Sequence, residues 1–239
     1  MFSTTYSPRS ITKYNREIEH LFYRYNIPAH STKSIEEITA EKELNSDFIL
    51  DLIKCYDDYE NLESTKFVSY RIPTLVDYLE KSHQHYITKR IPEIEQCLFR
   101  LLRQQDNPLI YVILSFFEEY KKDLIQHFKT EDELIFPYCK SLYNFYYFKK
   151  EDDFINILEN GKKALEFMKK HKTSKDELKK LQEIILSYKV PDKNLSFFHV
   201  FIEQLSLFQK DLKIHGEIED NVLQKKVLHI NEVLSIKYV

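Results

Sequence analysis

Apolar residues recur at three- and four-residue intervals along this 239-residue chain, the spacing that lines up one face of an α-helix. The longest such run, through Leu75, Leu79, Ile87, Ile91, Ile94, Leu98 and Leu101, predicts a helix from Pro73 or Thr74 to about Gln104, kinked or loosened at Pro92. Asp106 to Pro108 reads as a turn and helix start, opening a second helix from Leu109 to about Lys140. An aromatic connection from Tyr143 to Phe148 leads to a third helix, from Asp152 or Asp153 to about Tyr188. A loop over 190–194 leads to a fourth, from Leu195 to about Lys237.

Ahead of these long helices the elements are shorter. Residues 1 to about 10 read as a frayed tail, and Ser10 to Tyr25 as one helix stopped near Pro28. Ser34 with Glu37 forms a capping box that starts a helix at Ile35. Ser46 or Asp47 caps another through Leu50, Ile53 and Tyr56, and 61–66 reads as a linker. The pattern predicts an all-α protein: a small helical N-terminal domain over 1–66, then an up-down-up-down four-helix bundle over 67–239. The composition agrees, since only 2 Gly and 7 Pro accompany 31% charged residues. Hydrophobic content of 43% suffices for a real core.

Charge and cysteine usage narrow the function classes. A net charge of −3 shows no bulk bias toward nucleic acid or anionic membrane. No apolar run approaches the roughly 20 residues of a membrane span, and the first residues lack an apolar signal-peptide core. Cys55, Cys97 and Cys139 are scattered and form neither a disulfide frame nor a zinc motif. A reducing cytoplasm is the expected location, with no nucleic-acid or membrane partner.

The candidate chemistry lies in an internal repeat. Tyr120, Lys122, Asp123, Leu124, His127, Glu131 and Asp132 match Phe208, Lys210, Asp211, Leu212, His215, Glu219 and Asp220 in type and spacing. Residues four apart share a helix face, so each copy offers an imidazole beside a carboxylate, the way a helix presents two metal ligands to a bundle core. His83, His127, His171 and His215 each stand 44 residues from the next. Each is about 20 to 24 residues from the flanking turns, so antiparallel packing brings all four to one level, within about a turn at 1.5 Å per residue. His83, His127, Glu131, His171, His215 and Glu219 are thus the candidate metal ligands. Four imidazoles and two carboxylates exceed what one zinc takes; they suit two metal ions bridged by the glutamates, with iron or manganese favoured. His85 competes with His83 for the first position, and only the 44-residue spacing prefers His83. His199 and Glu203 form the same i, i+4 pair, but about 24 Å away along the last helix. Most single His-x-x-x-Glu pairs are modest surface pairs, and a metal-free helical interaction module remains the plain alternative.

At these residues the chain resembles the hemerythrin-like (HHE cation-binding) family, and most of all its iron-sulfur cluster repair di-iron proteins. Tyr78 to His83, followed by Ile91, Pro92 and Glu93, is similar to the family's first ligand helix. His127 and Glu131 with Phe136 and Pro137 resemble the second, His171 falls at the third, and His215 with Glu219 resembles the fourth. Phe22 to Ile27, Ile35 to Glu37 and Phe48 are similar to the small domain preceding that bundle. The resemblance implies a cofactor of two iron ions in a carboxylate-bridged centre, oxygen or nitric oxide as small ligands, and iron-sulfur proteins as clients. It admits a homodimer. The implied role is protection or repair of iron-sulfur clusters under nitrosative or oxidative stress. The other reading is an oxygen, nitric oxide or redox sensor, or an iron-binding protein without turnover. Three departures stand out. The N-terminal loop reads Pro28-Ala29-His30-Ser31 where the subfamily carries paired cysteines. Leu223-Gln224 replaces the usual Phe-Pro in the last helix. Lys175 stands four residues after His171, where an oxygen carrier has a second histidine, which favours the repair-type site.

Overall fold

The computed structural model describes residues 2–58, 64–104, 108–170 and 195–238, and among these all regular structure is helical. The N-terminal part starts earlier than its pattern predicts. Ser7 caps α1 (Pro8–Tyr14), with proline in the first turn, where a missing N–H costs nothing. The residues before it are tied down as well: Tyr6 and Thr4 carbonyls accept from the Ile35 and Glu36 amides. The single helix expected over Ser10–Tyr25 is split at Asn15. Its backbone is extended (φ −138°, ψ 106°), and its side chain accepts from the Glu17 amide to start a 3-10 turn, Arg16–Ile18. Asparagine competes for backbone groups in this way, which interrupts a helix that the apolar spacing alone would continue. The chain resumes as α2 (Glu19–Arg24). In α3 (Ile35–Glu41) both halves of the Ser34–Glu37 capping box are made. Asn45, one residue before the expected caps, starts α4 (Ser46–Asp57).

The long rods follow. A 3-10 turn, Ser64–Ser69, precedes α5 (Ile72–His85), which passes through a π-helical turn, Tyr86–Arg90, into α6 (Ile91–Gln104). Next, α7 (Pro108–Thr130) runs through a π turn, Glu131–Ile135, into α8 (Phe136–Phe148). The aromatic stretch Tyr143–Phe148 is therefore helix rather than connection, and Lys149 closes it in the left-handed conformation (φ 55°). The third rod is α9 (Glu151–Lys170); its expected continuation to Tyr188 lies outside the described residues. The fourth comprises α10 (Leu195–Ile218), a π turn, Glu219–Leu223, and α11 (Gln224–Tyr238).

A π turn is the loosening expected at Pro92, and a second one precedes Pro137. A proline ring collides with the carbonyl four residues back, here Thr88 or, for Pro137, Glu133. Both carbonyls lie inside a π turn, where the bond runs five residues (Ile91 N–H to Tyr86 O; Phe136 N–H to Glu131 O). The widened turn absorbs the clash. The third π turn, Glu219–Leu223, has no proline after it.

Side-chain packing forms two apolar clusters. One joins the N-terminal helices (Phe22, Ile35, Phe48) to the rods (Leu79, Leu142, Ile218) in a single continuous core. The other fills the far end of the rods with Leu98, Phe117, Phe128, Phe201 and Phe208. The ligand candidates lie where the two meet: the His83 ring stacks on Phe128 of one cluster (4.1 Å between centroids) and on Phe136 of the other (5.4 Å).

Candidate metal centre

Three of the six predicted ligands converge. One ligand atom each from His83, Glu131 and His215 lies within 4.8 Å of the others, and all three residues are buried. The two imidazoles face each other, Nε2 to Nε2, at 3.3 Å. Glu131 stands between two histidines, with one oxygen 3.2 Å from His83 Nε2 and the other 2.8 Å from His127 Nε2. His215 Nε2 lies 3.5 Å from the nearer Glu219 oxygen. The centre thus draws on the first, second and fourth rods. His171 lies outside the described residues.

Helix geometry explains the placement. His127 and Glu131 are one turn apart, as are His215 and Glu219, so each pair stands on one face. Each glutamate is also the first residue of a π turn, and a similar turn begins three residues after His83. Such turns insert one extra residue into the ladder and recur at functional sites. His85, two residues from His83, faces away from the centre and packs against His20 and Tyr23 of the N-terminal helices, at 5.5 and 5.3 Å between ring centroids. His199 and Glu203 are exposed.

The electrostatics favour a cation in the centre. A carboxylate at 0% exposure, as Glu131 is, costs several kcal/mol of lost hydration unless positive or hydrogen-donating groups surround it. Burial pulls the His83 pKa down, but bonds to Asp132 and Glu131 outweigh it, and the net shift is upward. His215 goes the other way: burial and the neighbouring His83 push it well below the usual histidine range, so it is neutral. A neutral imidazole, a second imidazole whose proton sits among carboxylates, and a buried carboxylate form a donor set that can hold a metal ion in that proton's place.

Asp132 is a supporting residue that the repeat contained without assigning. Its carboxylate bonds His83 Nδ1 at 2.8 Å, which fixes the ring and leaves Nε2 turned to the centre. Carboxylate–imidazole pairs orient metal-binding histidines in this way. Asp211 is a second such residue. One turn before His215, its buried carboxylate is bonded by Arg24 of α2, by Tyr56 of α4 (2.5 Å) and by Tyr86 of the first π turn (2.9 Å). Burial raises the Asp211 pKa, yet Arg24 and Tyr56 hold it well below the carboxylate range. Tyr86 completes the link, its ring 5.8 Å from that of His215. The one available signal was position, because Asp211, His215 and Glu219 are spaced four apart.

No helix among the described residues is long and apolar enough to cross a membrane. Comparison of the chain with protein-family models, curated proteins and solved structures returns no match.

Proposed function

We propose that the chain is a non-haem di-iron protein of hemerythrin-like type that protects or repairs iron-sulfur clusters under nitrosative or oxidative stress. The observation that carries the metal reading is the buried convergence of His83, Glu131 and His215 from three separate rods. The up-down-up-down arrangement rests on the spacing of the four helices, iron on the nitrogen and carboxylate donor set together with the family resemblance, and the repair role on that resemblance. In this reading His83, His127, His171 and His215 would supply the nitrogen ligands, and Glu131 and Glu219 the carboxylates shared by the two ions. The position of Glu131 between His83 and His127 supports a bridging role. A pair of irons held there would supply a ferrous–ferric redox change and take up oxygen or nitric oxide. The protein's part is to fix the donors and exclude bulk water. Asp132 orients His83, Phe128 and Phe136 clamp its ring, and the buried carboxylates balance the ionic charge. Beside Glu219 there is a void of about 10 Å³, no more than the space of a single water.

The test is rescue. Iron-loaded protein incubated with a nitric-oxide-damaged iron-sulfur enzyme is expected to restore its activity, and a Glu131→Ala, Glu219→Ala double variant is not. Equal recovery with both proteins, or none with either, would contradict the repair role.

A gas or redox sensor is the second reading, favoured by one observation. The Arg24–Asp211–Tyr56 network ties the N-terminal helices to the element carrying His215, giving ligand binding a direct mechanical route to that part of the chain. Reversible oxygen or nitric oxide spectra without any rescue would select it.

A further inference from the structure

Away from the candidate metal centre, a cavity of about 440 Å³ opens between the start of α5, the end of α8 and α11. That volume falls within the roughly 300–1,000 Å³ of small-molecule sites. None of the metal candidates lines it: Arg71 on its wall precedes His83 by 12 residues, roughly 18 Å along the helix, and Lys226 follows Glu219 by seven, roughly 10 Å. Two features define its chemistry. Arg71, Lys226 and His229 all line it, and no carboxylate does. Neither Arg71 nor Lys226 has an ion-pair partner among the described residues, and burial alone acts on the Lys226 ammonium, pushing its pKa down. Arg71 also opens α5, whose first turn has no side-chain cap, so the positive end of the helix faces the same region.

The second feature is aromatic. Tyr143 and Tyr147 line the cavity with ring centroids 4.7 Å apart, and Tyr147 is 58% exposed although it borders a concave site. Tyr70 adds a third ring, held in place by its hydroxyl donating to Asp51 Oδ2 at 2.7 Å. Clustered cations without a counter-charge attract an anion, and tyrosine faces offer stacking for a planar ring. The cavity is open on one side, with Arg71, Tyr147 and His229 exposed along it, and its volume suits a compact molecule.

We propose that this cavity binds a mononucleotide-sized aromatic anion, its phosphate on Arg71 and Lys226 and its ring against Tyr143 and Tyr147. The site stands independently of the metal reading. The test is calorimetric titration of the full chain with AMP, GMP and UMP, and with adenosine and inorganic phosphate as the separate halves of the first. At least one mononucleotide is expected to bind tenfold or more tightly than either half. Arg71→Ser with Lys226→Ser should weaken that binding at least tenfold, and Tyr147→Ala several-fold, with helical circular dichroism and metal content unchanged. Tyr147 is largely exposed, so its variant remains readable even if the double variant does not fold. No binding of any mononucleotide at millimolar concentration would overturn the proposal. So would phosphate binding as tightly as AMP, or affinities indifferent to these substitutions.

Discussion

The two copies of the repeat share their spacing and their backbone yet sit in different surroundings. In each, an aspartate, a histidine and a glutamate follow one another at four-residue steps, and the glutamate opens a π turn. In the fourth rod all three are buried, and Asp211 meets Arg24 and two tyrosines. In the second rod Asp123 is exposed, and the His127 side chain keeps 25% of its surface. The repeat therefore sets where ligands point, while packing of the N-terminal helices decides what supports them. One copy is buried throughout, and in the other only the glutamate is fully buried.

Removing the anchor should have the largest effect. Asp211→Ala leaves the Arg24 guanidinium buried without its carboxylate and is expected to cost about 3–5 kcal/mol in urea unfolding. The matching Asp123→Ala should change stability by no more than about 0.5 kcal/mol. A double variant, Arg24→Leu with Asp211→Leu, should lose less than either single change, since no lone charge remains. Equal costs at Asp123 and Asp211 would erase the contrast between the copies. Tyr86→Phe removes one hydrogen bond to the same carboxylate and should cost about 1.5–3 kcal/mol.

A pH series sharpens the same contrast. Burial and the nearby Arg90 lower the His20 pKa from 6.5 to about 3. Between those values the unfolded chain holds a proton that the native chain lacks, so stability falls as pH drops from about 6.5 toward 3. The slope from this residue is at most about 1.4 kcal/mol per pH unit. Asp211 acts lower: its contribution is present above the unfolded carboxylate pKa of about 3.9 and is lost as the pH falls below it. In metal-free protein, His20→Gln should flatten the upper part of the curve and leave the lower part unchanged. The smallest effect belongs to the exposed look-alike pair: His199→Ala and Glu203→Ala should leave metal content at the wild-type value.

Much of this was legible because helical periodicity is local. The long rods, the Ser34–Glu37 capping box and the two His-x-x-x-Glu pairs follow from spacings of three and four. The equal 44-residue steps placed His83, with His127 and His215, at the level where the structure holds them. What stayed hidden depends on distant partners or on backbone detail. Arg24 is 187 residues from Asp211, and no pattern around either names the other. The 44-residue spacing preferred His83 over His85, but the physical reason lies in the packing of α2, which takes the His85 ring to itself. Pro92 and Pro137 follow two of the π turns and the turn at Glu219 has no proline after it, but hydrophobic spacing predicts none of the three. The break at Asn15 came from a side-chain bond that hydrophobic spacing does not encode.

The central claim is that both repeat copies contribute donors to one metal site. Anaerobic reconstitution with ferrous iron, followed by metal analysis of the wild type, His127→Ala, His215→Ala and the Glu131→Ala, Glu219→Ala double variant, tests it most directly. About two irons per chain in the wild type is expected from the four-histidine, two-glutamate ligand set. Metal should fall with a substitution in either copy and disappear in the double variant. A wild type that takes up no iron, or zinc alone, or that keeps its iron when both glutamates are removed, would contradict it.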